Sequence, residues 1–201
     1  MNEKINLEKY ARCIKNGEVL LFPTDTVVGI GCRFDSEEGI SRMRSIKQVK
    51  ETAPFAVLIS SPEQLEQMKI RRSRISNLLI SRFWPGGLTI VMTSENHYPC
   101  CGEDNAIGVR MPDFDLLRKL IEIADVPLAA TSANYHSKPA PKRIADVEAS
   151  IVKKIDCVLD FPARLVGQPS TVVRLEAGEP TILREGAIPS KEIFETVRET
   201  V

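Results

Sequence analysis

The sequence predicts a mixed α/β fold in which one twisted sheet is flanked by helices. Helical and strand signals alternate through the first two thirds of the chain, and strand signals dominate the last third. The 201 residues are 43% hydrophobic and 27% charged, enough to build one core without staples. No repeat and no linker interrupts them, so 1–201 reads as one domain.

Leu7, Tyr10, Ala11 and Ile14 recur at helical spacing, with Asn6 as cap and Gly17 as stop. VLLF, 19–22, is a short apolar run and reads as a buried strand. Pro23 has no N–H for a ladder and ends it; Thr24, Asp25 and Thr26 follow at once. Gly29 and Gly31 then permit close backbone approach or a turn. The stretch Asp35-Ser-Glu-Glu38 resembles a capping box and opens a helix striped by Ile40, Met43 and Ile46. FAVLI, 55–59, is a second buried strand, and Ser61-Pro-Glu-Gln64 starts a short helix with proline in its first turn. A helix near 73–83 ends at the breaker Trp84-Pro-Gly-Gly87. Strands 88–92 and 107–111 come next, then helix 113–124 with Leu116, Leu117, Leu120 and Ala124 on one side. Strand 127–131, a helix near 143–152, strands 157–160, 170–175 and 181–185, and a helix from Ser190 complete the chain.

The 27 basic and 27 acidic residues cancel, so net charge names no partner. Locally, 69–74 (KIRRSR) and 138–143 (KPAPKR) are basic. Five cysteines, with no CxxC and with Cys100 and Cys101 adjacent, read as reduced thiols of a cytoplasmic protein. His97 and His136 have no partners at zinc spacing and read as surface loop residues. The charged start MNEKINLEKY shows neither signal peptide nor membrane span.

No Walker loop, GxGxxG, GxSxG or HExxH occurs, so a covalent nucleophile has no support. Small polar or basic groups instead gather at strand ends: Thr24 and Thr26, Arg110, Ser132 and Asn134, Ser170, and Arg184. Lys47, at the end of the second helix, joins them. Ligands of open α/β sheets bind outside strand ends. Each residue also has a plain structural reading. Arg110 and Arg184 suit ordinary ion pairs, Ser132 and Asn134 a cap or turn, Ser170 a strand start, and Pro-Thr-Asp-Thr a polar turn between strands.

Taken in order, PTDTVVGIGC, the Ile46-Lys47 pair, Pro54-Phe-Ala-Val-Leu-Ile59, WPGGLT, VRMP, TSAN, STVV and ILREG resemble the YrdC-like threonylcarbamoyl-AMP synthases over about residues 7–190. The resemblance implies a YrdC/RibB-like twisted sheet with a deep, positively lined, concave ligand-binding surface. It implies a nucleotidyltransferase that joins L-threonine, bicarbonate and ATP into threonylcarbamoyl-AMP with release of pyrophosphate. That product serves the N6-threonylcarbamoyl modification of adenosine 37 in tRNA, through a downstream transferase machinery. Thr26, Arg110 and Ser170 would contact threonine. Lys47, Ser132, Asn134 and Arg184 would surround ATP, with Mg2+ held through its phosphates and not by a protein metal site. Lys47, Ser132 and Asn134 would carry the chemistry. Such catalysis is positioning and charge stabilisation.

The resemblance is incomplete. Lys47-Gln48-Val49-Lys50 has valine where the family has arginine, so Lys50 becomes the expected substitute at the triphosphate. Val28, Ala53, Ala106 and the TSANYHS ending also depart. The alternative is a weakened paralogue that binds nucleotide or RNA, tRNA or double-stranded, for which Lys69–Arg74 is either the contact or a solvated helix face.

Overall fold

The computed structural model describes residues 6–176 and 179–199. Helix α1 (Leu7–Lys15) begins where the Asn6 side chain accepts the Lys9 N–H at 3.2 Å. Gly17, at φ 76°, releases the chain into β1 (Leu20–Pro23), which is buried throughout. β1 pairs antiparallel with β2 (Val28–Arg33), with Phe22 opposite Gly29. The sequence reading leaves close backbone approach or a turn open at Gly29 and Gly31; both lie in this extended strand, and close approach holds. A Cβ on Gly31 would overlap the Ala129 carbonyl and stand 3.1 Å from the Phe22 ring, so glycine serves close approach there.

Next come α2 (Glu37–Lys47), capped by Ser36, β3 (Ala56–Leu58), α3 (Gln64–Gln67) and α4 (Arg74–Phe83), which starts in a Ser73–Ser76 capping box. They are followed by β4 (Leu88–Thr93), β5 (Ala106–Arg110), α5 (Asp115–Ala124) and β6 (Leu128–Ser132). The expected helix near 143–152 is a 3₁₀ turn at Ile144–Asp146 and one helical turn, α6 (Ala149–Val152). Extended backbone at Val147 and Glu148, with ψ of 134° and 131°, separates them. β7 (Cys157–Val158), β8 (Thr171–Glu176), β9 (Glu179–Arg184) and α7 (Ser190–Arg198) close the chain.

Among the described residues the strands form one mixed sheet, ordered β7-β1-β2-β6-β3-β5-β4-β8-β9. One face packs on α2, α4 and α7 through Ile40, Met43, Leu79, Phe83 and Ile193. The other is covered at one end by α1 and α5, through Ile14, Leu117, Leu120 and Ile121 on Leu20, Phe22, Leu58 and Leu128. Each fully buried Leu or Ile in these layers contributes roughly 1.5–3 kcal/mol. Past those two helices the second face stays open. There β4 alternates, with Leu88, Ile90 and Met92 in the core, Thr89 and Val91 toward the opening. β5 does the same with Ile107 and Val109 against Gly108 and Arg110, and β8 with Val173 against Val172 and Arg174. The expectation of reduced thiols meets a correction: Cys13 and Cys157 form a disulfide. They are 144 residues apart in sequence, and the parallel β1–β7 pairing brings them together.

Candidate active site

The open face is a cavity of about 1100 Å³, whose wall includes Thr26, Thr89, Arg110, Ser132, Ser170 and Arg184. One side is the turn between β1 and β2. Thr24 Oγ1 accepts the Thr26 N–H at 3.1 Å and the Val27 N–H at 3.2 Å, and donates to the Val27 carbonyl at 2.8 Å. From outside, the Val166 and Gly167 N–H groups donate to the Asp25 and Thr26 carbonyls, each at 2.7 Å. A turn satisfied on both sides presents its side chains in one geometry.

Those side chains meet Arg110 at the end of β5. Its Nη1 donates to Thr26 Oγ1 at 2.8 Å, its Nε to the Gly86 carbonyl at 2.8 Å, and its Nη2 to the Asp25 carboxylate. The Trp84–Gly87 breaker thus supplies a carbonyl to the site. The ion pair is nearly buried, with side-chain exposures of 6% and 12%. Burial pulls the Arg110 guanidinium below its ordinary value, opposed by the Asp25 charge.

Opposite stands Arg184 of β9. Its Nε and Nη2 donate to the Ser170 carbonyl at 3.1 and 2.8 Å, and Nη2 reaches Ser170 Oγ at 3.1 Å. Ser170 Oγ also shares a hydrogen bond with Thr89 Oγ1 at 2.8 Å. Burial lowers the Arg184 guanidinium, and the Arg110 charge lowers it further. Two guanidiniums thus feel each other in one hollow.

A third cluster lies at the end of β6. Lys47 Nζ donates to the Ser132 carbonyl at 2.6 Å, to Asn134 Oδ1 at 3.1 Å and to the Asn134 carbonyl. Ser132 Oγ donates to Asn134 Oδ1 at 2.5 Å. Ser132 faces the cavity; Lys47 and Asn134 stand directly behind it. Burial lowers the Lys47 ammonium to about 8.

Thr26, Arg110, Ser170 and Arg184 therefore converge, and Lys47, Ser132 and Asn134 form one bonded group beside them. Lys50 does not join: it is exposed and stands outside the cavity wall. Its neighbour Val49 packs against the core, so the register that would deliver a cation from positions 49–50 is spent on packing. The arginine in the wall from this helix is Arg44, one turn earlier, which donates to the Ala53 and Pro99 carbonyls at 3.1 and 2.7 Å. Sequence reasoning passed over Arg44, Asp25 and Thr89. Asp25 lay between two selected threonines, and Thr89 is the polar residue of β4 that lines the cavity. The basic stretch is partly neutralised, since Arg71 pairs with Glu95, and Arg72 with Glu66 at 3.9 Å. Among the described residues no helix is long and apolar enough to cross a membrane.

The model of the Sua5, YciO and YrdC family, described as telomere recombination, matches residues 12–186. A threonylcarbamoyl-AMP synthase of Pyrococcus abyssi is 35% identical over 188 residues, 92% of this chain and 55% of the relative. One of Bacillus subtilis is 29% identical over 91% of this chain and 54% of its own length. The chain thus spans about half the length of these two relatives. The crystal structure of P. abyssi Sua5 complexed with L-threonine superposes with a TM-score of 0.88 at 33% identity, over 94% of this chain and 56% of that one.

Proposed function

This chain belongs to the Sua5, YciO and YrdC family, and from that premise we propose that it is a threonylcarbamoyl-AMP synthase, a nucleotidyltransferase acting on L-threonine, bicarbonate and ATP. The observation that carries the reading is the pair of guanidiniums, Arg110 and Arg184, in one cavity with Asp25 as the carboxylate bonded to the first. Arg110 is buried and balanced by Asp25, whereas Arg184 is exposed in the cavity wall and donates to the neutral Ser170, so its charge favours a ligand that brings negative charge. Threonine, bicarbonate and a triphosphate all do, and the solved relative in complex with L-threonine supports the first.

In this reading Arg110, Thr26 and Ser170 receive threonine. Arg110 is already bonded to Asp25, so it supplies charge and fixes the Thr26 hydroxyl more than it offers an open fork. Ser132 and Arg184 face the nucleotide phosphates, and Lys47 with Asn134 holds Ser132 in place. The threonine amine captures bicarbonate-derived carbon dioxide, and the carbamate oxygen attacks the α-phosphorus as pyrophosphate leaves. Orientation and charge compensation supply the rate. The one group of three metal-donor side chains found among the described residues lies elsewhere, at Cys13, Glu18 and Cys157. In this reading Mg2+ enters on the ATP phosphates, as part of the substrate. A cytoplasmic tRNA-modifying pathway consumes the product.

The test is pyrophosphate release by the purified chain with ATP, Mg2+, bicarbonate and L-threonine. The reading expects release that requires both threonine and bicarbonate. Folded protein that binds threonine or ATP without turnover overturns it in favour of a binding module.

A further inference from the structure

Away from the cavity, three metal-donor side chains from three parts of the chain converge. Cys13 comes from the last turn of α1, Glu18 from the α1–β1 connection and Cys157 from β7. Their ligand atoms all lie within 4.8 Å of one another. Cys157 Sγ contacts Glu18 Oε2 at 3.5 Å, and Asn16 Nδ2 donates to Glu18 Oε1 at 3.2 Å, which orients the carboxylate. The fold itself makes this meeting: β7 lies parallel to β1, and the Glu18 N–H donates to the Cys13 carbonyl at 3.1 Å. The two cysteine Cα atoms stand 7.0 Å apart. That lies slightly beyond the usual disulfide span, and two thiolates on one ion are joined without a direct sulfur–sulfur bond.

We propose that in the reduced protein Cys13, Cys157 and Glu18 form a binding site for a thiophilic divalent cation of the zinc class. Two thiolates and one carboxylate give three tetrahedral ligands, and water fills the fourth position. The ion and the disulfide are alternative ties between α1 and β7. Passing from one to the other balances: a phosphine reductant takes oxygen from water and becomes its oxide, and the sulfur–sulfur bond yields two thiols. The cation then displaces both thiol protons to solvent. The site lies outside the substrate cavity, and the inference stands apart from the proposed reaction.

Cobalt(II) is the probe, added to the full chain after phosphine reduction and removal of reductant. The expected result is one Co2+ per chain with a thiolate charge-transfer absorption, bleached by Zn2+, and a higher melting temperature. Cys13→Ser and Cys157→Ser abolish the absorption, and Glu18→Gln weakens binding about tenfold or more. A Cys100→Ser, Cys101→Ser double variant keeps it. Mass mapping of alkylated thiols works on unaltered protein, so the test survives a serine variant that fails to fold: Zn2+ shields Cys13 and Cys157. Absence of a thiolate band, a band that survives Cys157→Ser, or shielding at other cysteines overturns the proposal.

Discussion

Arg110 Nη1 donates to Thr26 Oγ1 across 2.8 Å, although 84 residues separate the two in sequence. That bond, with the Asp25 ion pair beside it, locks the β1–β2 turn onto the end of β5.

Asp25→Ala leaves the Arg110 guanidinium buried and uncompensated. A loss of about 3–5 kcal/mol in urea unfolding is expected. The double change Asp25→Leu, Arg110→Met recovers most of that stability, because apolar groups of similar volume avoid the desolvation cost. The same double variant binds no threonine by calorimetry. A single Asp25→Ala loss below about 1 kcal/mol contradicts the buried-pair account.

Lys47 carries a pH signature. Its folded value of about 8 lies below the ordinary 10.5. Between these values the unfolded chain holds more protons, so stability rises as pH climbs through this window. Below the folded value both states are protonated and the burial cost is fully present, roughly 3 kcal/mol at most. Lys47→Met removes this rise from the stability–pH profile. On the proposed reading, ATP affinity falls above the folded value as the ammonium discharges, and Lys47→Arg flattens that fall.

Gly31→Ala places a methyl group against the Ala129 carbonyl and the Phe22 ring. Main chain cannot yield cheaply, so about 1–3 kcal/mol is lost in thermal or urea unfolding. At Gly29 the Cβ would stand 3.1 Å from the Thr131 carbonyl, and its alanine variant is the milder of the two.

Cys101 lies in the cavity wall, and hydrogen bonding from Cys100 lowers its thiol below the ordinary value despite burial. Burial pushes Cys32 up to about 12. Iodoacetamide at neutral pH therefore labels Cys101 ahead of Cys32. Peptide mapping by mass spectrometry reads the order, and equal labelling of both removes the assignment.

Most helices and the strands flanking the cavity were legible in the sequence, because their apolar spacing coincides with the buried faces. β2 was not: its two glycines permit a turn as readily as close approach, and the positions of Phe22 and Ala129 decide for close approach. The helix near 143–152 misled because extended backbone at Val147 and Glu148 splits it. The strand-end threonines, serines and arginines picked out by position line one cavity. Lys50 was misplaced because adjacency in sequence fixes no direction in space, and Val49 turns inward. Asp25 escaped notice because its importance comes from a partner 85 residues away.

Thr89 and Ser170, 81 residues apart, close one wall of the cavity, and Arg184 arrives later still. A nascent chain emerging from a ribosome has the β1–β2 turn and α2 early, but no enclosure until β8 docks beside β4 and β9 follows. A chain without β8 and β9 therefore lacks the Ser170 and Arg184 side of the cavity. Loop closure over so long a separation comes late and is costly to begin. Any ligand that needs both walls of this hollow selects chains in which β8 and β9 have docked.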